Sequence, residues 1–219
     1  MFRIHKEGKS LLGFSLVILV LIKLTFSFFE LNEQFQNIAL IISVCVYVLI
    51  LLYYRKPKRL LAIDNQKVVA PVDGEIIGIQ EIDEQIYFKE KKLQISIYSS
   101  PLSSRGSYFP ISGRVKYARK HPGAFLFAWH KKAGSLNEQT VVVIENENSQ
   151  EIMYRQIAGA LGRNYAVYTK EGMNVLQGIK GGFNGFASRL DLILPLDSNL
   201  LVKIGDKTKG GQQILAELK

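Results

Sequence analysis

The chain has 219 residues, a formal charge of +9 and 47% hydrophobic residues, which suits one membrane anchor and one soluble domain of roughly 150 residues. A single cysteine excludes a disulfide framework and a thiolate metal site, and no metal is expected. The basic balance fits nucleic acid, anionic lipid or an acidic substrate. Aromatic-basic interleaving is missing and the densest basic run adjoins an apolar segment, so lipid is the expected partner and nucleic acid is not.

Two apolar segments fill the N-terminal quarter. Residues 11–29 carry one charge, Lys23, and residues 38–54 carry none. Both approach the roughly 20 residues that a helix needs to cross a bilayer. Arg3, Lys6 and Lys9 precede the first; Arg55, Lys56, Lys58 and Arg59 follow the second. The link between them has Glu30 and Glu33 and no cation. The positive-inside rule then places both ends in the cytoplasm, with the soluble domain on the cytoplasmic side of the cell (inner) membrane. Lys23 lies toward the outer end, where its stem can snorkel. No A-x-A-like cleavage site follows the first segment, which argues against a signal peptide. The basic run marks topology and also suits attraction to anionic headgroups. The expected organisation is an anchor over residues 1–59, with spans 11–29 and 38–54, and a domain over 60–219.

From Lys67 onward short β-branched and aromatic runs alternate with glycine turns. Strands are expected over residues 75–79, 93–98, 114–117, 140–145, 151–157, 165–168, 189–194 and 200–204, with one short helical piece over 124–131. The fold class is therefore all-β, a compact barrel or sandwich. Val69-Ala70-Pro71-Val72-Asp73-Gly74-Glu75-Ile76 resembles the first strand of a biotinyl- or lipoyl-type barrel-sandwich, and Val202 to Lys207 with Lys209 to Leu215 resembles its last hairpin. The lysine turn that carries a cofactor in those modules is missing, so the likeness bears on a barrel-sandwich-hybrid fold and not on a carrier function.

A set of ordered motifs carries a more specific resemblance. They include Arg55-Lys56-Pro57-Lys58-Arg59, Ala70-Pro71-Val72-Asp73-Gly74, Ser100-Pro101-Leu102, His121-Pro122-Gly123, Ala128-Trp129-His130, Arg155-Gln156-Ile157-Ala158-Gly159-Ala160-Leu161 and Ser188-Arg189. In these the chain resembles the short, membrane-anchored bacterial and archaeal type of phosphatidylserine decarboxylase. The resemblance implies a proenzyme that cuts itself between Ala187 and Ser188. It leaves a large chain to residue 187 and a small chain, 188–219, capped by a pyruvoyl cofactor made from Ser188. It implies phosphatidylserine as substrate, phosphatidylethanolamine as product, anionic membrane lipids as partners, and it leaves self-association open.

On the same resemblance Ser188 and Asp73 are the catalytic pair, Asp73 orienting the base that activates the serine. The family has glycine where Ala187 stands, and a turn needing positive φ there would cost an alanine on the order of 1–2 kcal/mol. The base histidine's column falls on Arg105, and a guanidinium cannot act as general base. His121 and His130 match other histidines of the family and are the remaining candidate proton carriers. Arg105 could instead pair with the lipid phosphate or carboxylate, or with Asp73; Arg189, beside the reacting serine, is a second headgroup-binding candidate. The alternative to a working decarboxylase is an unprocessed relative that binds anionic phospholipid or a paralogue.

Overall fold

A computed structural model describes residues 3–29, 32–56, 59, 64, 66–101, 103–130, 132–163 and 165–219. It divides into two units, Met1–Pro57 and Lys58–Lys219.

The first unit is a helical hairpin. Strand β1 (Arg3–Ile4) leads into α1 (Lys6–Phe28), then α2 (Glu33–Tyr53), and β2 (Arg55–Lys56) pairs back on β1. The 23 residues of α1 give about 34 Å at 1.5 Å per residue, matching a hydrocarbon core of about 30 Å. Asn32 caps α2, its side chain accepting from the Gln34 amide at 2.9 Å. Side chains such as Phe14, Leu24 and Ile41 are exposed around both helices, and both helices are long and apolar enough to cross a membrane. The helices begin before the apolar segments because the polar residues ahead of them, from Lys6 and Glu33, extend the hydrogen-bond ladder.

The second unit is all-β, as expected. Its strands are β3 (Lys67–Val69), β4 (Gly74–Glu84), β5 (Glu90–Ser99), β6 (Gly106–Tyr108), β7 (Gly113–His121), β8 (Gln139–Glu145), β9 (Glu151–Ile157), β10 (Ala166–Val167), β11 (Asn174–Val175), β12 (Lys180–Phe183), β13 (Ser188–Leu194), β14 (Asn199–Leu200), β15 (Lys207–Thr208) and β16 (Ile214–Glu217). One helical turn, α3 (Ala133–Leu136), stands between β7 and β8. An antiparallel sheet runs β11-β7-β8-β9-β13-β5-β4-β15, and two smaller sheets run β10-β12-β6 and β14-β16-β3.

Strand β13 lies inside the large sheet, hydrogen-bonded to β9 on one side and β5 on the other. Its side chains alternate between faces. Leu190, Leu192 and Leu194 enter the main core with Ile95, Ile97, Val142 and Ile152. Ile193 joins a smaller cluster with Val141, Val143 and Met153 on the opposite face. Ser188 shares the main-core face, and Arg189 and Asp191 share the other.

Two expectations for local structure fail. Residues 200–204 form strand only at Asn199–Leu200, because the chain turns at Gly205, whose φ is +93°. The helical piece over residues 124–131 is instead an irregular loop with a turn at Ala128 and Trp129, and Lys131 lies outside the described residues. Ala124 donates to Leu136 O, the Leu126 amide donates to Asn137 Oδ1, and Asn137 Nδ2 donates back to Leu126 O at 2.8 Å. Those bonds occupy the backbone groups a helix would need, and the helical turn forms later, at α3.

Candidate active site

Residues 184–187 link β12 to β13, and the first residue of β13 is Ser188. Ala187 has φ +46°, the left-handed region that L-residues with a Cβ avoid. The expected positive-φ turn is therefore present at Ala187, and its methyl group is held there at 3% exposure. Ser188 is 1% exposed, and its Oγ donates to the Gly185 carbonyl at 3.0 Å.

Arg105 enters the same loop. Its side chain is fully buried. Nη1 donates to Gly185 O at 3.0 Å, so the serine hydroxyl and the guanidinium share one carbonyl acceptor. Nη2 donates to Ser100 O at 2.9 Å and also to Pro101 O, and the guanidinium carbon lies 5.6 Å from the centre of the Phe186 ring. The Asn184 amide donates to Arg105 O at 2.8 Å, tying the two loops by their backbones. A buried cation of this kind needs matched donors, and carbonyls of both loops take Nη1 and Nη2. Its field reaches Tyr98: burial pushes the phenol above its ordinary range, while the Arg105 charge pulls it back down.

The floor comes from the Arg155–Leu161 motif. Gln156 is fully buried, and its Nε2 donates to Phe183 O at 2.9 Å and Asn184 Oδ1 at 3.1 Å. A Cβ at Gly159 would lie 2.5 Å from the Ala187 carbonyl oxygen, and one at Gly162 would lie 1.9 Å from Phe186 O. Both glycines are needed for the backbone to approach this closely. Across the ladder Ser188 faces Ser99. The buried hydroxyls of Ser99 and Ser104 have no hydrogen-bond partner among the described residues.

Asp73 stands in a neighbouring arrangement. Its Oδ2 accepts from Arg59 Nη2 at 2.6 Å and its Oδ1 from the Gly210 amide at 2.7 Å. The Arg59 guanidinium is 5.8 Å from the Tyr108 ring centre, and a Cβ at Gly106, next to Arg105, would meet the Tyr108 hydroxyl at 2.7 Å. The ion pair of Asp73 is thus with Arg59 and not with Arg105. In the sequence Arg59 is only the last member of the basic run, because a sequence cannot show that it turns back to Asp73.

The other candidates lie elsewhere. His121 ends β7 in the row His121, Gln139, Ile157, Arg189, three strand spacings or about 14 Å from β13, on the face opposite Ser188. Its Nε2 is 3.0 Å from Tyr117 Oη. His130 is exposed, and its Nδ1 accepts from the Lys132 amide at 3.1 Å. Arg189 is buried and bound to Asp191 Oδ1 at 2.6 Å and Ser96 Oγ at 2.9 Å. Arg155 reaches the same carboxylate at 3.2 Å. Ser188 and Arg105 are brought together; Asp73 is linked to them only through Arg59, Tyr108 and Gly106; the two histidines and Arg189 are not in the loop. Gln156, Gly159 and Gly162 were missed as site residues, although the two closely spaced glycines were a signal for close backbone approach.

The chain matches the family described as Phosphatidylserine decarboxylase over residues 47–216. A protein of Cytophaga hutchinsonii named phosphatidylserine decarboxylase proenzyme is 40% identical over 98% of this chain and 98% of its own length. Proteins of the same name from Phocaeicola vulgatus and Porphyromonas gingivalis are 39% and 34% identical, each over 99% of this chain and 96% and 99% of their own lengths. These similarities favour the decarboxylase and give no support to the unprocessed alternative. No solved structure matches the chain.

Proposed function

The chain belongs to the phosphatidylserine decarboxylase family, and we propose that it is a proenzyme that cuts itself at Ala187–Ser188 to become a pyruvoyl-dependent decarboxylase of phosphatidylserine. The observation that carries this reading is the loop itself: a buried serine directly after a left-handed alanine, its hydroxyl bonded to the carbonyl that a buried arginine also holds.

In the processing step Ser188 Oγ turns from Gly185 O and adds to the Ala187 carbonyl carbon. The amide C–N bond breaks, an ester forms, and the hydroxyl proton ends on the freed Ser188 nitrogen. Loss of the Ser188 α-proton then expels the Ala187 carboxylate, and water displaces the nitrogen as ammonia and leaves a ketone. Arg105 supplies positive charge beside the carbonyls of this loop, where negative charge develops. Gly159 leaves the Ala187 carbonyl room to become tetrahedral. Asp73 keeps Arg59 against Tyr108 behind Gly106, which positions the strand that follows Arg105.

The surroundings suit a ketone at the start of β13. The unpartnered hydroxyls of Ser99 and Ser104 are buried donors that could serve a carbonyl oxygen. The pyruvoyl group supplies a carbonyl that takes up the substrate amine and the electron pair released with carbon dioxide. The two apolar helices hold the domain at the cell membrane, with the basic ends on the cytoplasmic side, and make the encounter with lipid two-dimensional. The experiment is to incubate membranes carrying the full chain with phosphatidylserine labelled in its carboxyl carbon. Labelled carbon dioxide is expected from the chain and none from Ser188→Ala; equal release from both overturns the proposal.

A further inference from the structure

We propose that the loop carrying Phe127 and Trp129 docks into the surface of an anionic bilayer, as a lipid contact separate from the helical hairpin. The proposal rests on the reading above that the hairpin spans a membrane and the domain acts on lipid.

Phe127 and Trp129 are 48% and 55% exposed. Their rings stack at 4.7 Å with 16° between planes, so they form one offset stack of apolar rings, and Trp129 is braced at a right angle on Tyr98 at 6.0 Å. Leu161, beside the Ala160 amide that donates to Leu126 O, is 58% exposed. This surface rides on a fixed loop: Asn137 bonds both the amide and the carbonyl of Leu126, and also Ala158 O at 2.7 Å. A built loop that keeps aromatic rings in water has a use for them.

Charge identifies the occupant. Exposed Lys132 follows Trp129 by three residues and exposed Arg163 follows Leu161 by two, and among the described residues no ion pair joins either to a carboxylate. Arg163 lies 4.7 Å from the Phe125 ring centre. Indole and phenyl rings with exposed cations close by in the chain form the pairing that favours the headgroup region of an anionic bilayer. The chain supplies that bilayer itself, since the second apolar helix ends at Tyr53, just before the domain begins. The loop also abuts the scission site: Ala128, between the two rings in sequence, would touch a Cβ at Gly159 at 3.4 Å, and Gly159 faces the Ala187 carbonyl. Docking would set the Ala187–Ser188 bond near headgroup depth.

Trp129 is the only tryptophan of the chain, so its fluorescence reads this surface without labelling. The full chain is reconstituted into phosphatidylglycerol–phosphatidylcholine vesicles, with or without bromine on the acyl chains. The expected result is a blue-shifted emission, most of which is lost in brominated vesicles, with little quenching by acrylamide. Phe127→Ser and high salt should each restore part of the lost emission. Emission typical of water, quenched by acrylamide and indifferent to bromine, overturns the proposal. So does blue-shifted emission shielded from acrylamide but indifferent to bromine, which would mark a second copy or another protein as the cover. Carbonate extraction reads the hairpin separately. A chain that stays with the lipid while its Trp129 ignores bromine keeps the anchor and loses the docking loop. A chain stripped by carbonate whose Trp129 is nevertheless quenched loses the anchor and keeps the loop.

Discussion

On the family resemblance Ala187 stands where a glycine is expected and Arg105 where the base histidine is expected; both departures were legible in the sequence, and their geometry was not. The left-handed φ of Ala187 makes Ala187→Gly a relief of strain. In an uncut Ser188→Ala background it should raise stability by about 1 kcal/mol, read as a higher urea midpoint of the domain, and with Ser188 present it should speed processing. Unchanged stability and rate would mean that the turn carries no strain.

Arg105 bears on pH. With no imidazole in the loop, self-cleavage should climb steadily with pH and show no inflection near the ordinary histidine value of about 6.5. Arg105→His should introduce that inflection and raise the rate on its alkaline side. A time course of cleavage across pH checks both, and an inflection near neutrality in the unaltered chain would point to His121 or His130. The sequence could not show that Arg105 and Ser188 converge on Gly185 O, because that meeting joins two loops about 80 residues apart through hydrogen bonds to backbone, which leave no side-chain pattern.

Among the elements, the strands of the large sheet were the most readable, because β-branched residues there alternate between two faces. Residues 151–157 form β9 at the bounds their pattern gave. The two-residue strands and the loop before α3 were not readable, since their bonds go to distant backbone and to Asn137. Gly159 of the Arg155–Leu161 motif and Gly162 just after it show what pattern alone leaves out. Gly159→Ala puts a methyl group against the carbonyl of the scissile bond. It should slow cleavage and destabilise the domain by about 1–3 kcal/mol, with Gly134→Ala as a comparison at a less crowded glycine. A Gly159→Ala chain that processes at the normal rate would remove Gly159 from the site. On the other face of the sheet, Asp191 is fully buried and neutralises Arg155 and Arg189 together. Asp191→Ala leaves two buried guanidinium groups without their carboxylate and should cost about 3–5 kcal/mol, seen as loss of the folded domain in chemical denaturation.

For the whole molecule, the apolar hairpin and the all-β domain were both legible in composition and period, while the route by which Arg59 returns to Asp73 was not. The topology also governs what cleavage does. The fragment from Ser188 onward contributes β13 to the interior of the large sheet, β15 to its edge and β16 to the partner of β3. A cut between Ala187 and Ser188 leaves these ladders intact, so the two chains should remain together through purification and part only in denaturant. Separation in native buffer would argue that the ladders do not hold the small chain.

The most direct measurement is the mass of the purified full-length chain under denaturing conditions. Two polypeptides are predicted, one ending at Ala187 and one running from position 188 to Lys219 with a ketone in place of its amino terminus, and Ser188→Ala should give a single one. A single polypeptide of 24.7 kDa from the unaltered chain, whatever the pH and time allowed, would contradict the account.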